Sequence, residues 1–354
     1  MKKSERLLKV VYLPNVRQRE KRAAYRPGEA PDLFFVEKEE AKCNILRIER
    51  DLHAFPWNPL ASKGAFYAGF DMVRALKVLL LDRDADVVVS VFESNAFFVL
   101  LLARLFFFRP KVVLWEVSSR GWRIRDWVVN YVAERADRVF VLTKGQKSAI
   151  EARCDLKAPA DVVGFYVDEQ FFSPRPRAQS AQPYLLAVGD DVGRDYQTLV
   201  DAVAGTAHAL RIRSGRKLSI PADTRARIEM IPRLTYLELR DLYAGASVVV
   251  VPLHDMDHAT GITAIFEGMA MGLPVIASSI ATSRDYLIHG ETGWLVRPGD
   301  PSALRQAIEE LSGNAQLRER LGRQARLAIE DKYSATVYAR RFSERLRDVA
   351  ETAR

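Results

Sequence analysis

Along the chain, short runs of apolar and β-branched residues alternate with longer stretches whose apolar positions recur every three or four residues. In the first half, residues 7–13, 86–92, 111–115, 138–142 and 161–165 have the composition of buried strands, with 33–36 and 44–48 as shorter ones. Between them, residues 63–81 place Phe66, Phe70, Val73 and Leu76 on one side of a helix, and 144–152 form another. Residues 96–108, AFFVLLLARLFFF, are apolar all round, which predicts a helix buried in the core, capped by Ser94 or Asn95. The second half repeats the alternation. Strands are expected at 184–188, 210–213, 228–231, 247–251, 275–277 and 293–296. Helices are expected from Asp195, over 236–243 and 262–271, after an Asp300 cap with Pro301 in the first position, and over 315–332 and 335–351. Strand and helix in alternation define an α/β protein with doubly wound parallel sheets. Residues 173–183, SPRPRAQSAQP, hold three prolines and nothing apolar larger than alanine, and so divide domain 1–172 from domain 184–334.

Length agrees with that division. A chain of 354 residues exceeds one ordinary core and suits two domains of about 150 to 180 residues. The net charge of +8 lies in one half: residues 1–178 hold 31 Lys and Arg against 23 Asp and Glu, and the remainder holds 22 of each. The first domain therefore favours anionic surroundings, such as a lipid-diphosphate acceptor, an anionic membrane surface or nucleic acid; a solvated basic face is the plainer alternative. No nucleic-acid reader motif accompanies the charge, and nucleic acid is not expected as a partner. The basic start is broken by Lys9 and Pro14 and reads as a first strand, not a leader. No run reaches the ~18 apolar residues of a membrane span. Cys43 and Cys154 lack neighbours at metal-ligand spacing and read as reduced structural thiols of a cytoplasmic protein.

Candidate chemistry concentrates in residues 260–278, TGITAIFEGMAMGLPVIAS. Gly261 allows close backbone approach, and the free N–H groups of a helix opening at Thr260, Ile262 and Thr263 suit a diphosphate. Glu267, about one and a half turns in, offers a carboxylate that accepts hydrogen bonds only, which suits a ribose diol. In GDDVGRDYQTL, Gly193 and Arg194 stand at another strand-to-helix loop; a purely structural pairing of Arg194 with Asp190 or Asp191 is the alternative. Glu116 follows a strand at its carboxyl end, where open sheets place ligands, and Arg120, Trp122, Arg123 and Arg125 follow it. Arginines beside tryptophans suit an anionic or sugar-containing acceptor; Trp122 and Trp127 as core residues are the alternative. The basic loop after the first strand, with Asn15, Arg17, Arg19, Lys21 and Arg22, is either a phosphate or acceptor loop or a solvated one.

At residues 192–202, 239–253, 260–278 and 289–308 the chain resembles the retaining glycosyltransferases of family 4. The resemblance implies the GT-B fold of two facing Rossmann-like domains, with the last helix, 335–354, packing back on the first. It implies a donor site in domain 184–334 for a UDP- or GDP-sugar, with Gly193, Arg194, Arg233, Thr260, Gly261, Ile262, Thr263 and Glu267 lining it. The acceptor, a glycan or lipid-linked group, would meet Glu116, Arg120, Trp122 and Arg123 in domain 1–172. Arg194, Glu267 and Glu116 would be the catalytic set. Two positions depart from the family pattern: Ala259 stands eight residues before Glu267 where a glutamate is usual, and Asp190 replaces a usual basic residue.

The resemblance therefore implies a retaining hexosyltransferase of cell-surface polysaccharide synthesis, cytoplasmic or peripheral on the inner face of the plasma membrane. No cofactor and no metal are expected, because Asp255 and Asp257 have Asp-x-Asp spacing but no strand context for bridging Mg²⁺ to a diphosphate. A non-catalytic relative that binds a partner or glycan, motivated by Ala259 and Asp190, is the alternative. A GT-B-type epimerase and a dehydrogenase are further ones, the latter weakened by the lack of G-x-G-x-x-G after the first strand.

Overall fold

The computed structural model describes residues 7–14, 25–33, 43–47, 72–91, 93–103, 107, 110–115, 123–176, 182–220, 222, 227–256 and 259–352. The chain divides into two compact units: residues 1–25, 34–164 and 339–354 form the first, and 26–33 with 165–338 form the second. This division differs from a break at 173–183. The chain enters the second unit at Phe165, directly after Gly164, and residues 26–33 join that unit through backbone and side-chain hydrogen bonds. The Asp32 N–H donates to Asp168 Oδ2 at 2.6 Å, the Tyr166 hydroxyl to the Leu33 carbonyl at 3.1 Å, and Arg240 Nη1 to the Gly28 carbonyl at 3.3 Å. Such anchors are invisible to hydrophobic patterning.

The first unit holds a parallel sheet of β1 (Leu8–Leu13), β2 (Cys43–Arg47), β3 (Val87–Val91), β4 (Val112–Trp115), β5 (Arg138–Val141) and β6 (Asp161–Val162), in the order β2-β1-β3-β4-β5-β6. β3, β4 and most of β1 are buried, as continuous apolar runs in a sheet covered on both faces should be. Helices Met72–Leu81, Glu93–Ala103 and Arg123–Arg135 pack one core with β1, β3 and β4. Ala96, Phe97, Val99 and Ala103 are buried, but Leu101 and Phe107 are exposed and the helix ends at Ala103, so the expected helix over 96–108, buried all round, is found only in part. Trp127 is 58% exposed and so is not a core residue; its ring lies against Phe97 and Tyr131 at 5.7 Å. Asn95 is not a helix cap, because the helix already begins at Glu93. Its amide donates to the carbonyls of Val91 and Leu13, tying the ends of β3 and β1 together. From the last helix, Ala335–Glu351, Phe342 sets its ring against Trp115 at 5.2 Å and Phe140 at 5.4 Å.

The second unit has β7 (Tyr184–Val188), β8 (Ala209–Arg213), β9 (Ile228–Ile231), β10 (Ala246–Val251), β11 (Val275–Ser278) and β12 (Trp294–Val296), all parallel, in the order β12-β11-β10-β7-β8-β9. The register slips between Ala246 and Val248, where the Ser247 hydroxyl donates to the Tyr184 carbonyl at 2.9 Å. Helices Tyr196–Val203 and Pro301–Gly313 join β7, β8 and β10 in one core. Asp195 caps the former and Asp300 the latter, each through a side-chain oxygen on a backbone N–H three residues on. The helix expected to Lys332 passes into a π-helical turn, Ile329–Tyr333, before Ser334. Neither Cys43 nor Cys154 is in a disulfide, and burial pushes the Cys43 thiol up to about 11.

Candidate functional site

The winding of the second sheet reverses between β7 and β10. Open α/β sheets bind ligands at the carboxyl ends of the strands flanking such a reversal. Two segments leave the sheet there, one through Gly189 to Asp195 and one from Pro252 to Gly261. They lie side by side: the His254 N–H donates to the Gly193 carbonyl at 2.9 Å, and the Asp195 N–H to the Pro252 carbonyl at 3.0 Å.

Arg194 is the centre of this arrangement and is only 4% exposed. Its Nε donates to Asp191 Oδ2 at 2.8 Å, so the pairing weighed above as a structural role is present. The pairing does not use up the guanidinium. Nη1 is buried without any hydrogen-bond partner among the described residues. A buried N–H left without an acceptor costs roughly 1–3 kcal/mol, and native proteins leave few of them. Among the described residues nine other buried side-chain atoms share this condition, and Arg194 Nη1 is the one at this switch point, where it can donate to an acceptor from outside. Gly189 makes room for this side chain: at φ +144, any Cβ would overlap the Arg194 guanidinium.

The Asp191 carboxylate links Arg194 to the other segment, accepting from the Gly193 N–H at 3.1 Å and from the Thr260 hydroxyl. Burial raises its pKa, but the Arg194 charge and these hydrogen bonds outweigh burial and hold the carboxyl below its ordinary range. Asp190 is engaged elsewhere, with Oδ2 on Arg213 at 2.5 Å and Oδ1 on the Gly215 N–H at 2.7 Å. It neutralises a strand-end arginine and never meets Arg194.

Gly261 opens helix Ile262–Ala270 in the left-handed conformation, φ +80, and a Cβ there would stand 2.9 Å from the Leu253 methyls. The glycine thereby brings a helix N-terminus, with its unpaired N–H groups, directly after Thr260. Thr263 is exposed at this opening, whereas Ile262 and Thr260 are buried. On the inner face of the same helix, Glu267 is 7% exposed and accepts at Oε2 from the Tyr243 hydroxyl at 2.8 Å. Its other oxygen makes no hydrogen bond among the described residues. Burial pushes the Glu267 carboxyl up to about 7, against the Tyr243 hydrogen bond and the charges of Arg194 and Arg213. Arg233 is exposed; its charge and that of Glu267 act in opposite directions on the Tyr236 hydroxyl.

The fold thus gathers Gly193, Arg194, Thr260, Gly261, Ile262, Thr263 and Glu267, with Arg233 beyond Tyr236. Sequence reasoning missed Tyr243, because a tyrosine at apolar helical spacing reads as core. It saw in Asp191 only a competitor for Arg194, not a link to Thr260. Glu116, Arg120, Trp122, Asp257, His258 and the basic loop after β1 lie outside the described residues, as does the side chain of Arg123, which opens helix Arg123–Arg135. Asp255 is exposed, and among the described residues no three His, Cys, Asp or Glu side chains cluster to hold a metal. No helix among the described residues is long and apolar enough to cross a membrane.

Two parallel-sheet α/β domains, one with an arginine and a helix N-terminus at its switch point, define an open α/β class whose ligand sites lie at such points. Residues 216–328 match the family described as Glycosyl transferases group 1. D-rhamnosyltransferase WbpZ of Pseudomonas aeruginosa is 28% identical over 215 residues, 56% of this chain and 56% of that protein. The capsular polysaccharide biosynthesis glycosyltransferase CapM of Staphylococcus aureus is 34% identical over 95 residues, 27% of this chain and 24% of that protein. The matched stretch therefore spans about half of WbpZ and a quarter of CapM. Among solved structures, HepE of Anabaena in complex with UDP-glucose superposes with a TM-score of 0.70 at 14% identity, covering 96% of this chain and 100% of that one. Sucrose-phosphate synthase of Thermosynechococcus elongatus gives 0.68 at 19%, covering 98% and 100%. At these identities the likeness is one of fold, and the fold class is that of GT-B glycosyltransferases.

Proposed function

We propose that this chain transfers a sugar from a UDP- or GDP-sugar to a glycan or lipid-linked acceptor with retention of anomeric configuration, in cell-surface polysaccharide synthesis. The observation that carries the reading is the buried, unpartnered Nη1 of Arg194 beside the helix that opens at Gly261. A nucleotide diphosphate supplies what this place lacks, an acceptor with negative charge, and its ribose diol suits the unengaged oxygen of Glu267. WbpZ and CapM, as sugar transferases, and HepE, solved with UDP-glucose, support the donor class.

In the reaction, the bond from the anomeric carbon to the diphosphate oxygen breaks while the acceptor oxygen bonds to the same face. The acceptor's proton passes to the departing phosphate oxygen, so no enzyme carboxylate acts as nucleophile. Arg194 and the helix N–H groups stabilise the charge that grows on the leaving group, the term that commonly dominates. They take the place that a divalent ion would fill, and the reaction is proposed to run without one; activity lost with EDTA and restored by Mg²⁺ would overturn that part. Glu116, Arg120, Trp122 and Arg123 are proposed for the acceptor and an anionic membrane surface for the first domain, on sequence grounds alone.

A thermal-shift series with UDP, GDP and their sugars tests the donor. Ligand binding to the folded state raises the midpoint by mass action, so a shift with one base identifies the donor class. No shift with any of them removes the proposal. The pairing of Arg194 with Asp191 also keeps alive a non-catalytic relative, which would bind nucleotide but never release sugar from a labelled donor.

A further inference from the structure

We infer that Tyr243 is the positioning residue of this site: its hydroxyl holds one oxygen of Glu267 so that the other is presented as the acceptor for the ribose hydroxyls. The inference rests on the donor reading above. Tyr243 lies in helix Tyr236–Gly245 and is fully buried, and its hydroxyl donates to Glu267 Oε2 at 2.8 Å. A phenol has one proton to give, and here it goes to a carboxylate on a different helix. The start of the tyrosine's helix is fixed by a capping box, in which Thr235 and Glu238 hydrogen-bond reciprocally, so the hydroxyl is delivered from a rigid element. Behind it, the Phe172 ring meets the Tyr243 ring edge-on at 6.1 Å.

The geometry gives this bond two effects. A glutamate side chain has three rotatable bonds, and pinning one oxygen leaves the second with one direction. The hydroxyl also supports the ionised carboxylate in a place where burial opposes charge. The other groups acting on Glu267 are Arg194 from the loop after β7, Arg213 from the end of β8, and Tyr236 from the helix of Tyr243; Tyr196 acts on Tyr243. Neither arginine hydrogen-bonds Glu267, so Tyr243 alone among the described residues sets its orientation.

Tyr243→Phe removes the hydroxyl and keeps the ring with its packing. The decisive readout is calorimetric affinity for UDP and GDP against their 2′-deoxy counterparts, in wild type, Tyr243→Phe, Glu267→Gln and the double variant. If Tyr243 works through Glu267 on the ribose, Tyr243→Phe weakens the ribonucleotide about ten-fold, much less the deoxynucleotide, and adds little to Glu267→Gln. Its affinity should also climb over a higher pH range than in wild type, since Glu267 without its donor ionises later, and should level off below the wild-type value. Equal loss with both nucleotides, or full additivity with Glu267→Gln, would make Tyr243 a packing residue and end the inference. Unchanged affinity in Tyr243→Phe beside a clear ribose-specific loss in Glu267→Gln would end it while sparing the donor reading. A Glu267→Gln protein indifferent to the 2′-hydroxyl would remove both.

Discussion

Both units place a buried arginine where the winding of their sheet reverses, and the two arginines have opposite fates. In the first unit the reversal lies between β1 and β3, and Arg74, 2% exposed, spans it. Its Nη2 donates to the Pro14 carbonyl at 2.7 Å and its Nη1 to Asn95 Oδ1 at 3.3 Å, while Asn95 in turn ties the ends of β1 and β3. In the second unit Arg194, 4% exposed, gives Nε to Asp191 and leaves Nη1 with nothing. At the first switch point both terminal guanidinium nitrogens bond the protein's own oxygens; at the second a terminal nitrogen keeps an unmet demand for an acceptor. On the proposed reading, what separates a structural arginine from a ligand-binding one is neither burial nor position, which they share, but whether the chain supplies acceptors to its terminal nitrogens.

The contrast is broken most forcefully at Arg194. Arg194→Ala should lower the turnover of sugar transfer by about 10²- to 10³-fold, because the charge it meets exists fully only as the leaving group departs. Nucleotide affinity should fall less. A turnover loss under ten-fold in a steady-state assay would class Arg194 with Arg74. Next in size is Glu267→Gln, which replaces an acceptor-only group with one acceptor and a mismatched donor. Charge-assisted hydrogen bonds of this kind are worth roughly 1.5 to 3 kcal/mol, so nucleotide affinity by calorimetry should fall about 10- to 100-fold.

Glu267 also carries a pH signature with two opposed signs. Its folded pKa of about 7 lies above the ordinary value, so between the two the folded state holds more protons than the unfolded state. Its contribution to stability is therefore favourable at low pH and declines as pH rises from the ordinary carboxyl range through about 7. Nucleotide affinity should move the other way, rising through about pH 7 as the carboxylate forms. Affinity that is flat from pH 5.5 to 8.5 would leave the carboxylate out of ribose binding.

The control for these variants is Arg74→Met. It strands the Pro14 carbonyl and the Asn95 side chain, and should cost about 1–3 kcal/mol of stability in denaturant unfolding while leaving nucleotide affinity within about two-fold of wild type. A large affinity loss without a stability loss would mean that the first switch point also serves the ligand.

How much of this contrast could be read beforehand depends on how locally it is encoded. The strands of both sheets are apolar runs between turn residues, and the helix opening at Gly261 and the Asp300 cap are signals within a few residues. Those elements, and Glu267 on its helix, were legible. Asn95 was recognised as a polar residue at a helix start but assigned to capping, since its real partners, Leu13 and Val91, include one more than eighty positions away. The joining of residues 26–33 to the second unit depends on partners such as Asp168 and Arg240, more than 130 positions distant. The fate of Arg194 was undecidable for a related reason: the sequence shows Asp190 and Asp191 side by side, and only the folded loop sends the first to Arg213 and the second to Arg194.

That split of two adjacent aspartates supplies the smallest expected effect. Asp190→Asn keeps the shape and the acceptor for the Gly215 N–H but removes the charge facing Arg213. Burial raises the Asp190 pKa, yet hydrogen bonds from Gly215, Arg213 and Ser214 and the Arg213 charge bring it below the ordinary value. The stabilisation is thus present above the ordinary carboxyl pKa and lost as pH falls through the lowered one. The side chain is 53% exposed, so solvent screens much of it, and a loss of about 0.5 to 1 kcal/mol at neutral pH is expected, vanishing in acid. Meanwhile Arg213, relieved of its counter-charge, pulls harder on Glu267 and on any bound diphosphate. Nucleotide affinity should therefore rise, by a factor of about two, and fade back towards wild type at high salt. An affinity that falls instead would mean that Asp190 orders the loop carrying Arg194, and that the two aspartates are one structural unit rather than two separate counter-ions.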